Sequence, residues 1–302
     1  DAFTVSGSTI TFASNLVTGD VINFIQILGN VLDLGVPSDA TVSTAKIVDG
    51  SVTSAKLASG AVQNQSAFRN IIINGDMSLA QRATSETGIT NASGDVFVAD
   101  RFCWSESGGM TSQFTMSQDT DVPAGYGFAK SLKLDCTTTD TPATTERIRI
   151  ETRFEGQNLQ YLKKGTANAE SWTISFWVKS VKTGTYIVNF RDENNTRIVS
   201  KAYTISSAST WEKKTITVAP DTTDPFTNNN AHSLTIAWLL AAGSSLQSGS
   251  LADVWQDYAN ANYAAGQVNF ADNTANNFWI TGVQLEAGTT ASDFEFLPHD
   301  VN

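Results

Sequence analysis

The sequence has little positive charge and little histidine. Its 19 lysines and arginines stand against 30 aspartates and glutamates, so the net charge is −11. No basic cluster is present that could displace the counterions of a nucleic acid. The two histidines, His232 and His299, show no metal-ligand spacing with the cysteines. We therefore expect neither a nucleic-acid-binding protein nor a Cys/His metal site.

Cysteine is also scarce, and the two present, Cys103 and Cys136, are too few for a disulfide framework. Cys136 shares strand parity with two nearby leucines, which is typical of a core position, whereas Cys103 has the opposite parity to its aromatic neighbours. A disulfide between them stays open as an alternative. The favoured interpretation is two unreactive thiols.

Long apolar runs are missing as well. The longest candidate, residues 21–28, is broken by Asn23 and Gln26 and is far shorter than the roughly 20 residues of a membrane-spanning helix. We expect no membrane insertion. No secretory signal pattern is present, and the chain starts at Asp1 rather than Met, so we expect a processed or partial chain.

Alternating strands fill most of the sequence. Hydrophobic residues make up 41% and charged residues only 16%, so a core can form beneath a surface of Ser, Thr, Asn and Gln. Two-residue alternation is clearest in residues 147–154, 172–179, 186–190 and 234–238. Such alternation predicts antiparallel strands with one buried face. Residues 66–302 are therefore predicted to form one all-β domain, an antiparallel β-sandwich or jelly roll.

Residues 1–35 predict a small N-terminal β region. Apolar residues alternate with polar ones on either side of a Ser-Gly-Ser turn, which signals a hairpin, and residues 20–28 predict a third strand. Three short strands bury too little apolar area to be stable by themselves. We expect this region to rest on copies of itself or on a neighbouring part of the chain.

Residues 36–65 contain a ten-residue repeat, in which Val42–Ile47 is echoed by Val52–Leu57. Large apolar residues recur at every fifth position: Val42, Ile47, Val52, Leu57 and Val62. This spacing fits neither a helix nor a strand, but several intertwined chains could bury one apolar layer per half repeat. The favoured prediction is an intertwined stalk, and the alternative is a flexible linker.

Three segments resemble a known family, in the order that the family shows. Phe68–Met77 and Ala99–Trp104 resemble the opening strands of bacteriophage tail fibre C-terminal domains, and more loosely of jelly-roll carbohydrate-binding modules. Ile280–Gly288, with Phe294 and Glu295 after it, resembles the closing strand. Each motif is weak by itself, but their order and number make the resemblance fairly specific.

The resemblance implies a homotrimeric fibre at the outer end of a virion tail, attached to other tail proteins, that binds host cell-surface polysaccharide. The repeat independently supports multimers, although not the number three. Related modules hold a structural calcium, for which Asp76 could supply one ligand. The closing strand here has no aspartate, and one carboxylate is not a calcium ligand set. No other cofactor is expected.

The loop over residues 241–270 is the first predicted glycan site, because polar loops rich in aromatics commonly bind ligands on a sandwich. Its candidate residues are Trp255, Gln256, Asp257, Tyr258 and Tyr263. For Trp255 and Tyr258 the favoured interpretation is that they pack on the sheet as the apolar side of a short helix within residues 251–264, since their i, i+3 spacing permits it. Tyr263 is expected to be the most accessible of the aromatics.

Two further candidates lie on predicted strands. Trp177 is opposite its strand's apolar face, whereas Trp104, Trp172, Trp238 and Trp279 are predicted to be core residues. A second candidate is the stripe on residues 147–153, whose three arginines, with Arg149 at the centre, could bind an acidic sugar. A solvated strand face or an intersubunit salt network is the favoured interpretation of the stripe.

Catalysis has little support in the sequence. Glycoside hydrolysis needs two carboxylates at a set separation, and no pattern pairs them here. Residues 75–79 faintly resemble an esterase block, but a nucleophile needs a nearby base and the chain has two histidines. We therefore expect a non-enzymatic receptor-binding fibre tip. The alternatives are a structural virion protein without a glycan site and, least favoured, a glycan-trimming enzyme.

Overall fold

The computed structural model describes residues 3–7, 9–22, 45, 47–49, 51–53, 56 and 69–297. Contacts divide the chain into two compact units, Asp1–Gln63 and Asn64–Asn302. The predicted boundary after residue 65 lies close to this division. The predicted boundary at residue 35, within the first unit, stays a prediction.

The predicted N-terminal hairpin is present. Strands β1 (Phe3–Ser6) and β2 (Thr9–Phe12) pair antiparallel around Gly7, whose φ of 59° suits a residue without a Cβ. The side chains of Phe3 and Val5 are 52% and 60% exposed. Of the predicted third strand, residues 20–22 are not strand and residues 23–28 lie outside the described residues.

The stalk repeat is described at only two of its five apolar positions. Ile47 and Val52 are 43% and 48% exposed in the single chain. Val42, Leu57 and Val62 lie outside the described residues. The intertwined stalk therefore stays a prediction.

Residues 69–297 form a two-sheet antiparallel β-sandwich, which confirms the predicted fold class. Its thirteen strands are β3 (Ser85–Ile89), β4 (Val96–Phe97), β5 (Phe102–Ser107), β6 (Gln113–Asp119), β7 (Ser131–Thr138), β8 (Arg147–Glu155), β9 (Trp172–Ser180), β10 (Gly184–Asp192), β11 (Arg197–Ile205), β12 (Glu212–Val218), β13 (His232–Ala242), β14 (Gln256–Asp257) and β15 (Asn277–Ala287). The helical segments here are short 3-10 turns: Asn91–Ser93, Gly156–Leu162, Ser244–Leu246, Asn260–Asn262 and Phe270–Asp272. No helix in the described ranges is long and apolar enough to cross a membrane.

The two sheets interleave strands that are distant in sequence. One has seven strands in the order β14-β11-β10-β13-β8-β5-β4, and the other has six in the order β12-β9-β15-β7-β6-β3. Across the seven-stranded sheet, Cys103, Glu151, Ala237, Asn189 and Ser200 align in one row. This row belongs to the outer face, because the alternate residues of the same strands lie in the core.

The main core lies between the sheets and is rich in aromatic residues. Trp104, Trp172 and Trp238 are fully buried in it, which confirms three of the four predicted core tryptophans. The prediction was wrong for Trp279, which is only half-buried. Phe278 and Ile280 on either side of it lie in the core, so Trp279 is on the outer face of the six-stranded sheet. There its indole N–H donates to Asp119 Oδ2 at 3.0 Å.

A second apolar cluster lies on the outer face of the seven-stranded sheet. Leu246, Tyr263 and Ala264 pack there on Ile187 and Leu239 of the sheet. The segment between β13 and β15 therefore folds back over half of this face. The short helix considered for residues 251–264 is wrong, because these residues form strand β14, turns and loop.

Candidate functional site

A groove of mixed polar and apolar lining opens where the uncovered half of the outer face meets residues 70–82. It consists of two adjoining cavities of about 440 and 460 Å³ that share Ile73, Arg101 and Arg153. The first cavity extends along the end of β8 to the 3-10 turn Gly156–Leu162, and the second reaches β4. We call the whole the arginine groove, because Arg82, Arg101 and Arg153 line it.

The groove wall is built around the side chain of Asn74, which has a left-handed φ of 58°. Its Nδ2 donates to the carbonyl oxygens of Leu79 at 2.9 Å and of Asp100 at 2.8 Å. Its Oδ1 accepts from the Leu79 N–H at 2.8 Å. These bonds bring together two segments that the sequence keeps apart, the opening segment and the turn before β5. Because Asn74 is fully buried, the bonds form away from competing water.

Arg101 occupies the middle of the groove in a strained conformation. Its φ is 70°, in the left-handed region, within the turn closed by the bond from Phe102 N–H to the Ala99 oxygen at 3.2 Å. A residue with a Cβ is rare there, and such strain concentrates at functional sites. The exposed guanidinium has no hydrogen bond or ion pair with any described residue. It is therefore free for a ligand.

Arg82 lies on the same wall, over the ring of Phe97 at 4.7 Å. Stacking on an aromatic ring orients a guanidinium without neutralising its charge. Among the described residues no carboxylate pairs with Arg82. Two positive charges without counterions therefore face the second cavity.

Arg153 is different, because acidic neighbours already neutralise it. It pairs with Asp95 at 2.7 Å and with Glu151, which also accepts from Arg149. Glu151 is 2% exposed. The predicted stripe is thus a salt network within one chain, and its central carboxylate is buried rather than solvated.

One group of described residues has metal-ligand spacing: Asp95, Cys103 and Glu151, with ligand atoms within 4.8 Å of one another. Burial, and then the Glu151 charge, raise the pKa of Cys103 to about 12. A metal binds the thiolate rather than the thiol, and the arginines already occupy Glu151. The group does not suit a metal ion.

Tyr161 supplies an open aromatic surface at the far end of the first cavity. Its side chain is 67% exposed, on the 3-10 turn that also provides Gln157, Asn158 and Gln160. Aromatic rings stack on the apolar faces of sugars, and amides bind their hydroxyls. The groove therefore combines the side chains that saccharide binding needs.

The predicted loop site does not assemble as expected. Tyr263 is only 4% exposed and packs edge-on against half-buried Tyr258 at 5.8 Å, so the expectation that Tyr263 is accessible was wrong. Arg149 also lies on this outer face, bonded to Ser105 and Ser107 at 3.1 and 3.2 Å. The loop covers the sheet here because its aromatic residues bury apolar area on it.

The other residues of the predicted loop site lie apart from the two tyrosines. Trp255 packs edge-on against Trp172 at 5.2 Å, and its N–H donates to the Ala219 oxygen at 3.1 Å. Gln256 and Asp257 form β14 at the sheet edge, where Asp257 pairs with Arg197 at 3.4 Å. A role for any of these residues in binding stays a prediction.

Trp177 and Asp76 lie on the six-stranded side of the sandwich. Trp177 is half-buried, with its ring 4.4 Å from that of Tyr126. Asp76 accepts from the Ser78 hydroxyl at 3.0 Å and belongs to no metal-like group among the described residues. A calcium site at Asp76 therefore gains no support, and a role for Trp177 in binding stays a prediction.

Sequence reasoning missed Arg82, Arg101 and Tyr161. Arg101 lies in the segment Ala99–Trp104, which contributed only to the family resemblance. No signal in the sequence marked Arg101 as a residue of the turn before β5. Nothing in the sequence indicated that residues 70–82 would lie beside that turn.

No known protein family matches the sequence, and no curated protein matches it. Several solved structures are similar to this chain at low identity. A tailspike protein 4 enzymatically active domain from bacteriophage CBA120 is 14% identical, with a TM-score of 0.36, over 74% of this chain and 22% of that chain. A family 11 carbohydrate-binding module from Clostridium thermocellum is 10% identical, with a TM-score of 0.32, over 70% of this chain and 99% of that one. TmCBM61 in complex with β-1,4-galactotriose is 9% identical, with a TM-score of 0.33, over 72% and 99%.

The chain spans about a fifth of the tailspike chain that it matches. At these identities and TM-scores the likenesses assign neither a ligand nor an activity.

Proposed function

We propose that this chain binds a host cell-surface glycan in the arginine groove, without cleaving it, as the distal part of a bacteriophage tail fibre. The observation that supports glycan binding most directly is the groove itself, where exposed Tyr161, three neighbouring amides and unpaired Arg101 line connected cavities. The place on the virion is inferred from the fibre-like motifs. Weak single-site affinities would be multiplied by several chains per fibre.

Tyr161→Ala tests the glycan site. Tyr126→Ala is a matched control, because Tyr126 is similarly exposed, at 56%, but lies on the six-stranded side against Trp177. We expect the purified full chain to bind an array of bacterial surface polysaccharides, with Tyr161→Ala about tenfold weaker because one stacking surface is lost. Tyr126→Ala should bind normally. Loss with Tyr126→Ala instead would move the site to Trp177.

A non-catalytic role is also proposed. Asp100 and Glu155 line the groove, but Asp100 accepts from the Gln81 N–H at 3.3 Å and Glu155 accepts from Gln157 at 2.7 Å. We expect no reducing sugar or acetate to be released from any polysaccharide that binds. Release that disappears with Asp100→Asn or Glu155→Gln would establish the enzyme instead.

Assembly as a homotrimer is the second part of the proposal. The five-residue apolar repeat and the exposed apolar side chains of the hairpin favour several chains over one. Mass measurement in solution, on the full chain and on a chain beginning at Gln65, tests it. We expect a trimer that dissociates when residues 1–64 are removed. Two monomers would reduce the first 64 residues to a linker.

A structural virion protein is the remaining alternative. It predicts that Tyr161→Ala leaves phage adsorption unchanged. Competition between the purified chain and intact phage for host cells distinguishes the two, because only a receptor-binding tip, located at the outer end of the fibre, should block adsorption.

A further inference from the structure

Six of the eight arginines of the chain lie in the arginine groove or on the adjoining outer face of the seven-stranded sheet. They are Arg82, Arg101, Arg147, Arg149, Arg153 and Arg191. No lysine lines either cavity of the groove. A chain with a net charge of −11 thus concentrates its guanidinium groups at the proposed binding site. Guanidinium binds carboxylate, sulfate or phosphate through paired N–H groups, which ammonium cannot do.

Internal acids already neutralise part of this set. Arg149 and Arg153 share buried Glu151, and Arg191 pairs with Glu193 at 3.2 Å. Arg147 has no acidic partner among the described residues either, but it lies over the Tyr263 ring at 5.1 Å and does not line the groove. Arg82 and Arg101 line the groove and have no ion-pair partner in the described ranges. Arg82 and Arg101 therefore keep their full positive charge for a ligand. The ion pairs of Arg149, Arg153 and Arg191 stay within the outer face of the sheet.

The two acids of the groove do not cancel these charges directly. Asp100 Oδ2 accepts from the Gln81 N–H, and Glu155 accepts from the Gln157 side chain. Neither forms an ion pair with Arg82 or Arg101. The strained φ of Arg101 points the same way, because glycine would adopt this turn without strain but would remove the guanidinium.

We infer that the saccharide bound in the groove is acidic and that Arg82 and Arg101 bind its anionic substituent. This inference rests on the proposed glycan-binding function. The shared chemistry is an oxyanion on a sugar, either a carboxylate or a sulfate, next to the hydroxyls that Gln157, Asn158 and Gln160 can bind.

The test is a polysaccharide array in which each acidic bacterial polymer is printed beside its carboxyl-reduced form, with dextran and dextran sulfate as further arms. The full chain should bind at least one acidic polymer and lose about tenfold or more in affinity after carboxyl reduction. A sulfate ligand would instead show binding to dextran sulfate but not to dextran. Binding should also weaken as salt is raised.

Variants separate this inference from a general effect of charge. Arg101→Gln and Arg82→Gln should each weaken acidic binding about tenfold and leave any residual neutral binding unchanged. Lys213→Gln, a matched loss of one positive charge at an exposed site on β12 of the other sheet, should change affinity less than twofold.

Failure of the inference differs from failure of the proposed function. Equal binding to the acidic and carboxyl-reduced forms, without binding to dextran sulfate but still sensitive to Tyr161→Ala, would overturn the acidic ligand and leave glycan binding in place. Wild-type affinity in both arginine variants would do the same. Absence of binding to every polysaccharide would overturn both.

Discussion

The side-chain amide of Asn74 donates to the carbonyl oxygen of Asp100 at 2.8 Å. This bond joins two of the three sequence motifs that resemble fibre domains, Phe68–Met77 and Ala99–Trp104, and it fixes the residue immediately before Arg101. Asn74 and Asp100 are 26 residues apart in the sequence, and the bond between them places their two motifs on the same groove. The same geometry explains why asparagine is needed at position 74. Its side-chain amide donates to the carbonyl oxygen of Leu79 and accepts from the N–H of the same residue.

Asn74→Gly should destabilise the sandwich and loosen Arg101. Glycine accepts the φ of 58°, so the variant removes the hydrogen bonds without adding strain. We expect the free energy of unfolding to fall by about 1–3 kcal/mol, because buried carbonyl groups lose their partner. Denaturant unfolding measures this, and affinity for the polysaccharide should fall with it. A variant as stable as wild type would show that the bond does not hold the two motifs together.

Arg101→Gly should separate stability from binding. Removing the Cβ relieves the strain of a left-handed conformation. The melting temperature should therefore stay the same or rise, and any rise should correspond to about 1 kcal/mol of unfolding free energy. Polysaccharide affinity should be lost at the same time. Arg101→Lys, which keeps charge but not the paired N–H geometry, should bind with intermediate affinity. A clear loss of stability in Arg101→Gly would mean that the arginine side chain supports the fold.

Lys164 should be indispensable for stability although it lies outside the groove. Its fully buried ammonium is 2.7 Å from Asp192 and 3.2 Å from Asp221, and it donates to the Asp224 oxygen at 2.6 Å. Lys164→Met leaves buried Asp192 without a counterion among the described residues, whereas Asp221 keeps Arg197 at 3.0 Å. We expect a loss of about 3–5 kcal/mol in unfolding free energy. Lys163→Met is the matched control. It removes only an exposed pair with Glu170 and should cost about 1 kcal/mol or less.

Asp221 should make the fold sensitive to acid. Burial by itself raises the pKa of this carboxyl, but hydrogen bonds from Thr223 and Arg197 and the charge of Lys164 outweigh burial, so the net pKa is lowered. A folded-state pKa below the unfolded value of about 3.9 stabilises the protein above that pH. This stabilisation is lost as pH falls through the folded-state pKa.

Asp221→Asn should therefore be less stable than wild type at pH 7 but less sensitive to acid. Melting temperatures measured between pH 7 and pH 2 compare the slopes of the two proteins. Some slope should remain, because the pKa values of Asp119 and Asp140 are also lowered. An unchanged slope in Asp221→Asn would show that this carboxylate does not govern the acid response.

Both thiols should be unreactive in the native protein. Burial, and then the charge of Asp135, raise the pKa of Cys136 to about 11, and the pKa of Cys103 is raised to about 12. Both side chains are buried and unpaired. Iodoacetamide at pH 8 should label neither thiol in hours but both after denaturation, and a reducing agent should leave the melting temperature unchanged. Rapid native labelling would show that the groove floor at Cys103 opens.

The alternation of apolar and polar residues was sufficient to predict the strands and the sandwich. Side chains alternate across a strand with a period of two, so the parity of Trp104, Trp172 and Trp238 predicted their burial correctly. The prediction of a core position failed at Trp279 because the same period places it on the outer face, between the core residues Phe278 and Ile280. The hairpin was predictable for the same local reason, since a Ser-Gly-Ser turn supplies the required positive φ.

Tertiary structure alone decided where the candidate site lies. Parity assigned Arg153 to an outer face, but only the pairing of β8 with β5 and the return of residues 70–82 brought it beside Arg101 and Arg82. Tyr263 of the loop was predicted to be accessible because the sequence does not show which surface it packs on. In the structure, burying the ring of Tyr263 on Ile187 and Leu239 is more favourable than exposing it to water. Local periodicity determines which side a residue faces. Long-range packing determines which residues lie beside it, and the binding chemistry depends on those neighbours.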